Sequence, residues 1–131
     1  MKARLCLAVL LICAAGCGKS PEDEYREARR LLTDEQTASD SLRAFQAEVI
    51  ENHRKTKQIA ESLQADVNGT GISGKKLDPT EKHGGLDLAG WIALEKERCE
   101  LVERGEKAIK KQHERVMKAH DLLEAAEKRR K

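Results

Sequence analysis

Between Ala28 and Leu63 apolar residues recur at heptad spacing along two neighbouring lines. Ala28, Leu42, Val49 and Leu63 form one line, which Glu35 and Thr56 interrupt. Leu31, Ala38, Phe45 and Ile59 form the other, interrupted by Asn52. Two adjacent lines of this kind are the a/d seam of a coiled-coil helix. The pattern returns after a gap. Leu88, Val102, Ile109, Val116 and Leu123 share a line broken by Glu95. Trp91, Gly105, Ala119 and Ala126 share its neighbour, broken by Arg98 and Gln112.

The ends of both patterns carry helix signals. Ser20-Pro21-Glu22-Asp23 offers a cap, a proline in the first helical position and acids in the first turn. Thr33-Asp34-Glu35-Gln36 has the form of a second capping box, so a break near Thr33 is compatible with the sequence. Asn68-Gly69 opens a glycine-rich segment that runs to Gly85. Asp78-Pro79-Thr80-Glu81 within it reads as a capped helical turn. Asp87 is placed to cap the second helix, and Glu127-Lys128-Arg129-Arg130-Lys131 sets cations at a helix C-terminus. The predicted elements are a helix over 21–67, a loop over 68–86 and a helix over 87–130. Within them, residues 28–67 and 87–128 would each span about 60 Å at ~1.5 Å per residue.

Two matched amphipathic helices around a turn-rich loop predict an all-α fold, an antiparallel two-helix hairpin of coiled-coil type. Folding about the loop sets Leu31 against Leu123, Ala38 against Val116, Phe45 against Ile109, Val49 against Gly105 and Leu63 against Trp91. In this register Phe45, Val49, Gly105 and Ile109 pack in the seam, and the missing side chain at Gly105 makes room for Phe45. A further apolar line on the second helix, Leu94, Leu101, Ala108 and Leu122, lies beside the seam. Long charged side chains can cover such a line. Its alternative is burial against another helix, in a homodimeric four-helix bundle or against a different protein.

Composition supports long helices over a globular core. Charged residues make up 37% of the chain and aromatics only 2%. Lys and Arg number 25 against 23 Asp and Glu. Two of those cations, Lys2 and Arg4, precede the apolar run Leu5 to Ala15. A basic start, a short apolar core and small residues beyond it form a secretory signal, too short to span a membrane. The chain after the signal is charge-balanced, which predicts no strong bulk attraction to nucleic acid or membrane.

Ala14-Ala15-Gly16-Cys17 resembles the lipobox of bacterial lipoproteins, with Ala14 where Leu is commonest. That resemblance implies a signal peptide over 1–16, cleavage before Cys17, and acyl chains such as palmitate on Cys17. It implies a lipidated N-terminus and linker over 17–20, an extracytoplasmic location, and membrane contact through Cys17. Gly18 after the cysteine favours the periplasmic face of the outer membrane in a Gram-negative cell. Cys6 and Cys13 fall in the signal, so Cys99 has no partner for an internal disulfide.

The candidate sites are few. GTGISGKK, residues 69–76, contains G-x-G-x-x-G and misses the P-loop pattern by one residue, because Lys76 replaces the hydroxyl that holds Mg²⁺. A P-loop sits between a strand and a helix, whereas Ile59 to Val67 reads as helix; no nucleotide is expected. His113-Glu114 begins the metalloprotease pattern H-E-x-x-H, but Met117 occupies the second ligand position. His113 and His120 lie about 10.5 Å apart along a helix axis, too far to share an ion. No metal, no cofactor and no catalytic arrangement is expected.

Loops on rigid scaffolds often carry binding, so Trp91, Lys75 and Lys76 near the hairpin tip are candidate partner contacts. Leu94 and Leu101 are candidates on the flank. The cations of 107–131 are a candidate contact for lipid headgroups. The sequence thus predicts a structural or protein-interaction lipoprotein of the cell envelope. One alternative is a tether joined to peptidoglycan through Lys131, similar in plan to the murein lipoprotein of enterobacteria. Another is a small-ligand or ion binder formed by an oligomeric bundle.

Overall fold

The computed structural model describes residues 18–131. The signal peptide expected over residues 1–16, and Cys17, lie outside those residues. The described chain is all-helical, with α1 over Pro21–Asn68 and α2 over Leu88–Arg130 packed antiparallel as a hairpin. It divides into two compact units. Unit one joins the residues up to Gln36 with Arg115–Lys131, and unit two is Thr37–Glu114.

Local chemistry sets the helix ends. The Asp23 N–H donates to Ser20 Oγ at 3.2 Å, and the Ser20 hydroxyl donates to the Asp23 carboxylate at 2.7 Å. This Ser20 cap satisfies one orphan N–H of the first turn. No break occurs near Thr33. Its hydroxyl donates to the Arg29 carbonyl at 3.1 Å from within a continuous helix, and does not cap a new one. At the far end the N–H groups of Thr70 and Gly71 both donate to the Ala65 carbonyl, at 2.9 and 3.1 Å. Gly69, with φ of 75°, turns the chain off the helix. Asp87 caps α2: its carboxylate accepts from the Gly90 N–H at 2.9 Å.

In unit one the acidic start of α1 meets the basic end of α2. Glu24 pairs with Arg129 at 2.9 Å and Glu22 with Arg130 at 3.5 Å. The Arg130 guanidinium lies 4.2 Å from the centre of the Tyr25 ring. Each exposed ion pair contributes at most about 1 kcal/mol. The small residues Ala119 and Ala126 are buried between the helices and allow close approach.

Unit two holds the loop and a seam that differs from the expected one. Leu42, Val49, Thr56 and Leu63 form one line of it on α1, in keeping with the heptad pattern. The second line is Ser39, Gln46, His53, Ala60 and Val67, all buried or half-buried. Ala38, Phe45, Asn52 and Ile59 are exposed instead. The α2 lines are the expected ones, with Leu88, Val102 and Ile109 beside Trp91, Arg98, Gly105 and Gln112.

Phe45 is therefore not a seam residue: 63% of its surface is exposed. Val49, Gly105 and Ile109 do lie in the seam, half-buried. Gly105 faces Gln46, not Val49 or Phe45. A Cβ at position 105 would collide with the Gln46 carboxamide. The physical reason is that α2 supplies polar partners as well as apolar ones. Gln46 Nε2 donates to the Val102 carbonyl at 2.9 Å. His53 Nε2 lies 2.9 Å from the Glu95 carboxylate. The Arg98 guanidinium donates to the Asn52 carbonyl at 3.0 Å and to the Thr56 hydroxyl. Buried polar groups are stable only when hydrogen-bonded, and Gln46, His53 and Thr56 in this seam are.

Candidate interaction surfaces

The glycine-rich segment is an ordered cap on the end of the helix pair. The Leu77 N–H donates to the Asp66 carbonyl at 3.0 Å, which folds residues 71–77 back over the end of α1. A helix precedes GTGISGKK and irregular chain comes after it, so its backbone has no strand–loop–helix setting for phosphates. The expected helical turn at Asp78 is an Asx turn. The Asp78 carboxylate accepts from the Thr80 N–H at 2.9 Å and the Thr80 hydroxyl at 2.7 Å, bonds that hold its pKa below the ordinary value.

Trp91 is part of this cap. Gly84 and Gly85, both at positive φ, form a tight turn between His83 and Leu86, whose backbones pair. The Trp91 indole N–H donates to the His83 carbonyl at 2.8 Å. A Cβ at position 84 would lie 3.3 Å from the indole, a contact tight enough that the ring would have to give way slightly. The Trp91 side chain, a candidate partner contact, is half-buried against its own loop. Lys75 and Lys76 are exposed, and so is Ile72, an apolar residue that heptad reasoning passes over because it lies in the loop.

The flanks of the helix pair differ. On one flank of unit two α1 presents Ala38, Phe45, Asn52 and Ile59, and α2 presents Leu94, Leu101 and Ala108. Leu101 is 45% exposed and Leu94 half-buried. The other flank carries Arg43, Ile50, Lys57 and Gln64 on α1, and Ile92, Cys99, Glu106 and His113 on α2. The first flank is thus apolar and the second mixed. In unit one Ala28, Leu31, Leu122 and Ala126 line a shallow groove together with the charged Glu24, Glu27 and Arg129.

His113 and His120 are both exposed, at helical spacing on α2. Among the described residues no three His, Cys, Asp or Glu side chains converge as metal ligands. Cys99 is free and half-buried. No helix of the described residues is long and apolar enough to cross a membrane. Comparison with known proteins places the chain in no group: no family model, no curated protein and no solved structure matches it.

Proposed function

We propose that the chain is a lipid-anchored protein of the bacterial envelope that acts without catalysis, by presenting helical surfaces to other proteins. The observation that carries this reading is the run Ala14-Ala15-Gly16-Cys17 after a basic and apolar leader, with the capped start of α1 only a few residues beyond it. Lipid on Cys17 would hold α1 close to a membrane, because acyl burial contributes about 0.8 kcal/mol per CH₂. The exposed apolar flank and the exposed Ile72 suit contact with protein better than reaction chemistry.

The test is metabolic labelling of cells with an alkyne palmitate analogue, with fractionation of the membranes. The chain is expected to take the label and sediment with membranes, and Cys17→Ala is expected to lose both properties. Labelling that survives Cys17→Ala, or a wild-type chain that takes none, overturns the anchor.

A further inference from the structure

We propose that Asn68 is a self-modification site. Its side chain cyclises onto the Gly69 backbone nitrogen when the cap over the end of α1 opens, and the conversion then keeps that cap from closing fully. This inference does not depend on the lipid anchor.

The chain holds two asparagines, Asn52 and Asn68, and only Asn68 is followed by glycine. The backbone nitrogen after an asparagine can attack the side-chain carbonyl carbon, because the product is a five-membered succinimide ring. A side chain on that next residue shields the nitrogen, and glycine has none. Asn68 is the last residue of α1 and is exposed, while Gly69 leaves the helix with φ of 75°. Asn52 lies in the interior of α1, and its backbone carbonyl accepts from Thr56 and Arg98. The two asparagines therefore differ both in their neighbour and in how firmly the helix holds them.

The cap restrains the reaction. The Gly69 N–H donates to the Asp66 carbonyl at 3.1 Å, and the Leu77 N–H donates to the same oxygen at 3.0 Å. Thr70 is held twice, by its N–H at 2.9 Å and its hydroxyl at 3.2 Å, both donating to the Ala65 carbonyl. These bonds fix the Asn68–Gly69 peptide against the helix end, and turning its nitrogen toward the side chain requires that they break. The side chain itself is prepared for attack. Gln64 donates to Asn68 Oδ1 at 3.2 Å, a donor on the oxygen that gains negative charge as the nitrogen adds. Local opening of the cap thus sets the rate.

The step balances without oxidant or reductant. A bond forms from the Gly69 nitrogen to Asn68 Cγ and the Cγ–Nδ2 bond breaks. Nδ2 leaves as ammonia, with the Gly69 amide proton delivered to it through water. Water then opens the ring at either carbonyl and gives aspartate or isoaspartate at position 68. Either product places a carboxylate at the C-terminal end of α1, where the helix dipole is already negative. The last turn of α1 has no basic residue to offset it. Isoaspartate also routes the backbone through the side-chain methylene. That extra atom falls just before the Thr70 and Gly71 N–H groups that reach the Ala65 carbonyl.

The experiment incubates the purified full chain at mildly alkaline pH beside a free peptide of residues 63–73. Peptide mapping follows the gain of one mass unit, and electron-transfer fragmentation separates isoaspartate from aspartate. Asn68 is expected to convert, more slowly than in the peptide by about tenfold or more, while Asn52 stays intact. Thr70→Val removes one bond of the cap and is expected to speed conversion in the full chain by about threefold or more, with no such gain in the matching peptide. Far-UV circular dichroism should show unchanged helix in this variant. Hydrogen exchange of the Gly69, Thr70 and Gly71 amides is a second readout, expected to quicken in converted chains. Asn68 converting no faster than Asn52, or as fast as the free peptide, overturns the proposal. So does a Thr70→Val chain of unchanged rate, or a converted chain whose cap amides exchange as before.

Discussion

Gln46 and Gly105 are paired across the helix seam: the buried carboxamide of Gln46 fills the space that a side chain at position 105 would occupy, and it donates to the Val102 carbonyl at 2.9 Å. Glycine inside a helix costs about 1 kcal/mol relative to alanine, so this site trades helix propensity for a polar interlock. Gly105→Ala is expected to destabilise despite its better propensity. The displaced amide would lose its bond while still buried, a penalty of about 1–3 kcal/mol. In Gln46→Ala the same substitution is expected to become neutral or stabilising. Urea unfolding of the four chains measures the coupling, and additive effects would refute the pairing.

Thr56 is the most deeply buried polar side chain among the described residues, at 1% exposure. Its hydroxyl donates to the Asn52 carbonyl at 2.9 Å and accepts from Arg98. Thr56→Val keeps the shape and removes both bonds. A loss of about 1–2 kcal/mol is expected, because Arg98 keeps the Asn52 carbonyl at 3.0 Å as a partner. Arg98→Ala should cost a similar amount, and the double variant less than the sum of the two. The same unfolding titration checks all three.

The turn under Trp91 predicts an asymmetry between two adjacent glycines. Gly84 has φ of 61° and Gly85 φ of 90°, so alanine at either is strained by about 1–2 kcal/mol. Only at position 84 does the new Cβ press on the indole ring. Gly84→Ala is expected to be the more destabilising and to shift the emission of this single tryptophan, while Gly85→Ala leaves the emission unchanged. Equal effects on stability and emission would argue that Trp91 does not rest on this turn.

Glu51 accepts from both nitrogens of the Arg54 fork at 2.8 Å, one turn along α1. That hydrogen bonding lowers its pKa from 4.5 to about 2. A depressed carboxylate pKa means that the associated stabilisation is present above the ordinary carboxylate range and is lost as pH falls through the folded value. Carboxyl NMR is expected to show Glu51 still ionised at about pH 3.5, between the two values, and Arg54→Ala is expected to return its midpoint toward 4.5. A wild-type midpoint near 4.5 would show that the fork is not formed in solution.

The amino-acid sequence by itself determined the two helices, their caps at Ser20 and Asp87, the loop between them and the antiparallel pairing. Each arises from local chemistry: heptad spacing, side-chain caps, glycine at positive φ, and opposite charge at the two ends. It also determined both seam lines of α2 and one line of α1. Tertiary structure alone decided the other α1 line. On either side of Ala28, Leu42, Val49 and Leu63 lies a heptad line, and the one that looked like core was Leu31, Ala38, Phe45 and Ile59. The packed line in unit two is Ser39, Gln46, His53, Ala60 and Val67, because Val102, Glu95 and Gly105 on the opposite helix supply bonds and space for polar groups. A hydrophobic pattern records which residues avoid water, but not which polar residues find partners away from it. That choice turned Phe45 outward, and with it set the apolar flank.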